Sequence, residues 1–115
     1  MLTVGPAKKV TVYVGEDDHH RGEPLYLAVL NYLFRHDVSG ATVTKGVAGF
    51  GAEHHIHSAR ILEISENLPV KIEFIEAAAT LATIMPALGE IVREGLIVVS
   101  DVEVVHHAHR GAKPR

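Results

Sequence analysis

The pattern that most restricts this chain is a change of hydrophobic period from two to about 3.6 and back, made twice within 115 residues. From Lys8 to Gly15, Val10, Val12 and Val14 alternate with Lys9, Thr11 and Tyr13, as in a strand with one buried face. The polar run Glu16-Asp17-Asp18-His19-His20-Arg21-Gly22 interrupts it. Pro24 suits the first turn of a helix, where its missing N–H goes unused. From Leu25 to about Asp37, Leu25, Ala28, Val29, Tyr32 and Leu33 make one apolar stripe, and Ser39-Gly40 marks the helix end. Ala41 to Val47 resumes alternation with β-branched residues. After Pro69, Val70, Ile72 and Phe74 alternate with Lys71 and Glu73, the clearest strand in the chain. Ala77 to Glu94 returns to helical spacing through Leu81, Ile84, Met85, Leu88, Ile91 and Val92, with Gly95 as its stop, and Leu96 to Val105 is β-branched again.

Two β-α-β halves sharing one sheet, with both helices on a single face, define an α+β ferredoxin-like βαββαβ arrangement with an antiparallel sheet. The length suits one domain over residues 1–115. Between the halves, residues 49–67 read as a long loop carrying a short apolar strand at Arg60-Ile61-Leu62-Glu63-Ile64, and residues 106–115 as a frayed polar tail. Pro86 removes one hydrogen bond from the second helix, so a kink or break is expected between about Ala82 and Pro86. Leu27, Leu30 and Phe34 form a second apolar stripe on the first helix. One sheet cannot cover both stripes, so this one calls for another subunit or a folded-back segment.

The absence of cysteine excludes disulfides and thiolate sites, leaving His and carboxylates for any metal. Eleven Lys and Arg against fourteen Asp and Glu, with the basic residues scattered, give no footprint for nucleic acid. No stretch reaches the roughly 20 apolar residues of a membrane helix. Residues 1–9 lack the layout of a signal peptide, and a cytoplasmic location is expected. No Gly-x-Ser-x-Gly or His-Glu-x-x-His motif occurs, and Glu73 and Glu76 fall on opposite faces of a strand, so the chain does not read as an enzyme.

The series Gly40-Ala41-Thr42-Val43-Thr44-Lys45-Gly46-Val47-Ala48-Gly49-Phe50-Gly51, followed by Leu68-Pro69-Val70-Lys71-Ile72-Glu73, resembles the PII-like superfamily, and within it a branch of small prokaryotic proteins of unknown function. The resemblance runs from the first strand to the last. It implies a signalling homotrimer whose inter-subunit clefts bind a small anionic ligand, an adenine nucleotide being the candidate. It also implies a mobile loop, here about 49–67, that reports ligand state to a membrane transporter or channel. In one respect the chain departs from the family. PII proteins carry a Gly- and Lys-containing phosphate loop before the last strand, where this chain has Arg93-Glu94-Gly95-Leu96-Ile97.

Two clusters are candidates for binding. Lys45, Gly46, Val47, Ala48, Gly49, Phe50 and Gly51 offer backbone N–H groups that glycine freedom can turn toward an anion, with Lys45 adding charge. A strand bulge entering a loop is the plain alternative. His54, His55 and His57, with Glu53, form the densest set of ligands for a divalent metal, against the alternative of a solvated polar loop. His19 and His20, and likewise His106, His107 and His109, read as exposed polar segments.

Overall fold

A computed structural model describes residues 2–52, 54–58 and 67–108. In chain order its elements are β1 (Gly5–Gly15), β2 (His19–His20), β3 (Glu23–Pro24), α1 (Leu25–Arg35), β4 (Ala41–Lys45), β5 (Ala48–Gly49), β6 (His57–Ser58), β7 (Pro69–Glu76), α2 (Ala78–Ile91) and β8 (Leu96–Val104). The four long strands form one sheet in the order β4-β7-β1-β8, every neighbouring pair antiparallel. This is the ferredoxin-like arrangement expected from the two β-α-β halves. The short strands pair as β2 with β3 and β5 with β6.

Alternation decides which face is covered. Val10, Val12 and Val14 lie beside Phe74, Ile72 and Val70 in register, and these six pack under Leu25, Val29 and Leu33 of α1 and Leu81, Ile84 and Leu88 of α2. The helices are tied together where the Tyr32 hydroxyl donates to the Ile84 carbonyl at 3.0 Å. Glu76 belongs to the same covered face and is fully buried. Its Oε2 accepts the Ser39 N–H at 2.7 Å and its Oε1 the Ala77 N–H at 3.3 Å, which fixes the α1–β4 turn to the end of β7. Glu73 lies on the open face, so the two glutamates do face opposite ways.

Among the described residues no helix packs on the other face of the sheet, where Thr11 is buried but its neighbours are not. There Tyr13 pairs with Leu96 and Thr11 with Val98 across β1 and β8, and Tyr13, Leu96 and Val98 remain exposed at 43%, 55% and 41%. The second stripe of α1 is also bare, with Phe34 83% and Leu27 38% exposed. Among the described residues no helix is long and apolar enough to cross a membrane.

The helix ends differ from the sequence reading. α1 stops at Arg35, because Asp37 takes a left-handed φ of 60°. The N–H groups of Asp37 and Val38 then turn back to the Phe34 and Leu33 carbonyls at 3.4 and 3.2 Å. That double closure terminates the helix before Ser39-Gly40 is reached. Pro24 is the residue before the first turn rather than within it. α2 passes through Pro86 without a break. Ala82, whose carbonyl loses its partner, and Pro86 itself both lie on the exposed side, so the lost bond leaves no polar group stranded in the core. α2 ends at Ile91, ahead of Gly95. Gly95 serves a different purpose: a Cβ there would stand 2.7 Å from the Tyr13 carbonyl oxygen, so only glycine lets the chain pass close to β1 on its way into β8. The strand expected over residues 60–64, together with Glu53 and His109, lies outside the described residues.

Candidate functional site at the loop end of the sheet

The ends of β1 and β4 and the start of β7 meet at one end of the sheet, and the glycine-rich stretch leaves from there. β1 ends in a tight turn in which Asp18 Oδ2 accepts the Gly15 N–H at 2.7 Å and the Asp18 N–H reaches the Gly15 carbonyl at 3.1 Å. The far end of the long loop is fastened to this turn. Asn67 Oδ1 accepts the Asp17 N–H at 2.7 Å, and the Leu68 carbonyl accepts the Glu16 N–H at 2.8 Å. The near end is held by charge, with Lys45 Nζ 2.8 Å from Glu16 Oε2. The Glu16 hydrogen bond, and then the Glu16 charge, hold the Lys45 ammonium above the ordinary lysine range. Residues from both roots of the loop thus converge on the turn formed by residues 15–18.

The glycines have a specific steric task. The Gly46 N–H donates to the Pro69 carbonyl at 2.8 Å, and a Cβ at either Gly46 or Gly49 would sit 2.9 Å from Pro69 Cγ. Both glycines therefore lie against the proline ring that opens β7. Among the described residues the glycines with positive φ are Gly5, Gly22 and Gly95, so Gly46, Gly49 and Gly51 hold no left-handed turn in this structure. Beyond them, β5 and β6 pair Ala48 with Ser58 and Gly49 with His57, closing a small hairpin within the loop. Val47, Phe50 and Ile56 are exposed at its surface, at 77%, 60% and 68%.

Of the three histidines of this hairpin, two come together and the third turns to Phe50. His54, at φ 58°, sets its ring edge-on to Phe50 with centroids 5.1 Å apart, while His55 meets His57 at 4.8 Å. Among the described residues no group of three or more His, Asp or Glu side chains is arranged to hold a metal ion.

On the bare face of the sheet, Glu73 Oε2 lies 3.4 Å from Lys9 Nζ, 3.9 Å from Lys71 Nζ and 3.3 Å from the Thr11 hydroxyl. Desolvation pushes the Glu73 carboxyl up, but the Lys9 hydrogen bond, the Lys71 and Lys9 charges and the Thr11 hydroxyl outweigh it and hold the group below its ordinary value.

Glu16, Asn67 and Pro69 are the members of this site that the sequence reading did not single out. Each had a faint signal, since Glu16 is the first residue past the alternating run and Asn67-Leu68-Pro69 is the last turn-forming segment before β7.

The fold is similar to that of PII-like proteins. The structure of CPII, a nitrogen regulatory PII-like protein from Thiomonas intermedia K12 bound to ADP, AMP and bicarbonate, is similar with a TM-score of 0.69 at 16% identity, covering 92% of this chain and 94% of that one. A PII-like signaling protein from Thermus thermophilus, described as putative, is similar with a TM-score of 0.61 at 21% identity, over 90% of this chain and 94% of that one. At such identities the likeness establishes the fold alone. The family model DUF190, described as uncharacterized ACR, matches residues 7–104, and the chain belongs to that family. A UPF0166 protein of Methanocaldococcus jannaschii is 35% identical over 99 residues, 85% of this chain and 91% of the relative. One from Aquifex aeolicus is 27% identical over 106 residues, 91% of this chain and 99% of the relative.

Proposed function

We propose that this chain is a trimeric PII-like regulator that binds an adenine nucleotide in clefts between subunits, beside Lys45 to Gly51, and signals through residues 49–67. The observation that carries the reading is the convergence of both loop roots on residues 15–18, where Lys45, Glu16 and Asn67 meet. A ligand that competes for Lys45 would loosen one root of the loop while the other stays fastened, which turns occupancy into a change of loop geometry. The ADP and AMP bound to the similarly folded CPII support the choice of nucleotide. The uncovered sheet face supports the assembly, since Tyr13, Leu96 and Val98 form a contiguous apolar strip that three copies closing together would bury. Binding rather than catalysis is the role, and the exposed Val47, Phe50 and Ile56 would be the loop's contact with a membrane transporter or channel.

Calorimetry with ADP, AMP and ATP tests the ligand, with Lys45→Ala as the variant. Saturable heat that weakens about tenfold or more in the variant is expected for the loss of a charged phosphate contact. Absence of heat from all three nucleotides would end the nucleotide reading. Light scattering tests the assembly independently, and a folded monomer at micromolar concentration would refute it.

A further inference from the structure

A cleft of about 280 Å³ opens between the β2–β3 hairpin and the turn that follows α2. Arg21 and Gly22, with φ of 51° and 86°, give that hairpin its tight two-residue turn, so it stands as a defined wall. The lining combines opposite charges over an apolar floor: Arg93 supplies a guanidinium, Asp18 and Glu94 supply carboxylates, the imidazoles of His19 and His20 add polar groups on the hairpin wall, and Leu25 and Ile91 complete the lining. Asp18 is held in place by the bond from the Gly15 N–H to its Oδ2. Among the described residues the side chains of Arg93 and Glu94 have neither an ion pair nor a hydrogen bond, although each lines the cleft. The last carbonyls of α2 add partial negative charge on the Arg93–Glu94 side.

We propose that this cleft binds a small zwitterion of the α-amino-acid class. The ligand's carboxylate would pair with the Arg93 guanidinium, whose planar fork matches two carboxylate oxygens. Its ammonium would lie among Glu94, Asp18 and the C-terminal carbonyls of α2, and its side chain over Leu25 and Ile91. Size favours a metabolite of this scale, since the volume falls below the range of roughly 300–1,000 Å³ that drug-sized ligands occupy. Charge favours a molecule carrying both signs. A simple anion would leave Glu94 and Asp18 opposed to it, and a simple cation would face Arg93. The site lies outside the Lys45–Gly51 stretch, at the position where PII proteins carry their phosphate loop, and the amino-acid titrations are run without nucleotide. Asp18 belongs to the same turn that holds Lys45 and Asn67, so a ligand gripping Asp18 acts on the root of the loop.

Calorimetry of the full chain against each proteinogenic α-amino acid tests the assignment, with the corresponding des-amino acids and decarboxylated amines as controls. At least one amino acid is expected to give saturable heat and both kinds of control to bind more weakly. Arg93→Ala should weaken that binding about tenfold or more, and Glu94→Gln by a smaller factor. Both side chains are exposed, so neither substitution should move the melting temperature of the free protein. Three results would each overturn the proposal: no heat from any amino acid, binding that survives Arg93→Ala unchanged, or a des-amino acid that binds as tightly as its parent. The outcome of the nucleotide titrations bears on none of these.

Discussion

Replacing Gly49 by alanine separates two roles that glycine can play at the root of the loop. The added methyl would stand 2.9 Å from Pro69 Cγ, well inside the optimum of about 3.5–4.0 Å for carbon atoms, so Pro69 or the β5 backbone must shift. Overpacking of this kind costs roughly 1–3 kcal/mol, and the loss of unfolded-state freedom on replacing glycine returns about 0.4–1 kcal/mol. The net destabilisation should be about 1–2 kcal/mol, or on the order of 4–8 °C in melting temperature for a domain of this size. Pro69→Ala removes the opposing ring atoms. In a thermal or urea double-mutant cycle, Gly49→Ala should therefore cost little in the Pro69→Ala background, giving a coupling energy of about 1–2 kcal/mol. Gly51→Ala is the control, because a Cβ there meets nothing within 4 Å and stability should hold. Additive effects of Gly49→Ala and Pro69→Ala would refute the steric account. Adenine-nucleotide titration of the double variant then addresses the ligand: if the stretch binds through its backbone N–H groups, restoring the space restores the binding.

Glu76→Gln should destabilise the fold by roughly 1.5–3 kcal/mol, the range for hydrogen bonds to a charged group, because the amide places a donor beside one of two backbone N–H groups. Urea denaturation reads this directly, and an unchanged midpoint would mean that Glu76 does not anchor the α1–β4 turn. Stability should also fall at both pH extremes for separate reasons. Glu73 is held below its ordinary value, so its contribution is present above the unfolded carboxylate range and is lost as pH falls through the depressed folded value. Lys45 is held above its ordinary value of 10.5, so its contribution is complete below that value and is lost as pH rises through the folded one. Glu73→Gln should flatten the acid limb of the melting profile and Lys45→Met the alkaline limb, and limbs that keep their slopes would contradict the assignments. Val98→Arg places a cation on the bare sheet face near Lys9 and should shift light scattering toward the monomer, whereas a trimer of unchanged stability would move the interface elsewhere.

The parts of this fold legible in the sequence are those governed by a single period. β7 alternates strictly between covered and less covered residues, as Val70, Ile72 and Phe74 foretold, and the first α1 stripe is the one that meets the sheet. What escaped the sequence was set by contacts between distant residues. Asp37 ends α1 by adopting a conformation more often taken by glycine, and nothing in a local window marks it above Ser39-Gly40. Pro86 is tolerated because the carbonyl it deprives faces outward, which is known only once α2 is laid on the sheet. The same distinction applies to the site. Lys45 and the glycines stand out along the chain, but the reason for Gly46 and Gly49 is the ring of Pro69, and the partner of Lys45 is Glu16, 29 positions away. Asn67 reaches Asp17 across 50 positions. Under the proposed function, a loop whose roots are tied through such distant pairs changes shape when one tie is replaced by a ligand contact, while the sheet beneath keeps its register.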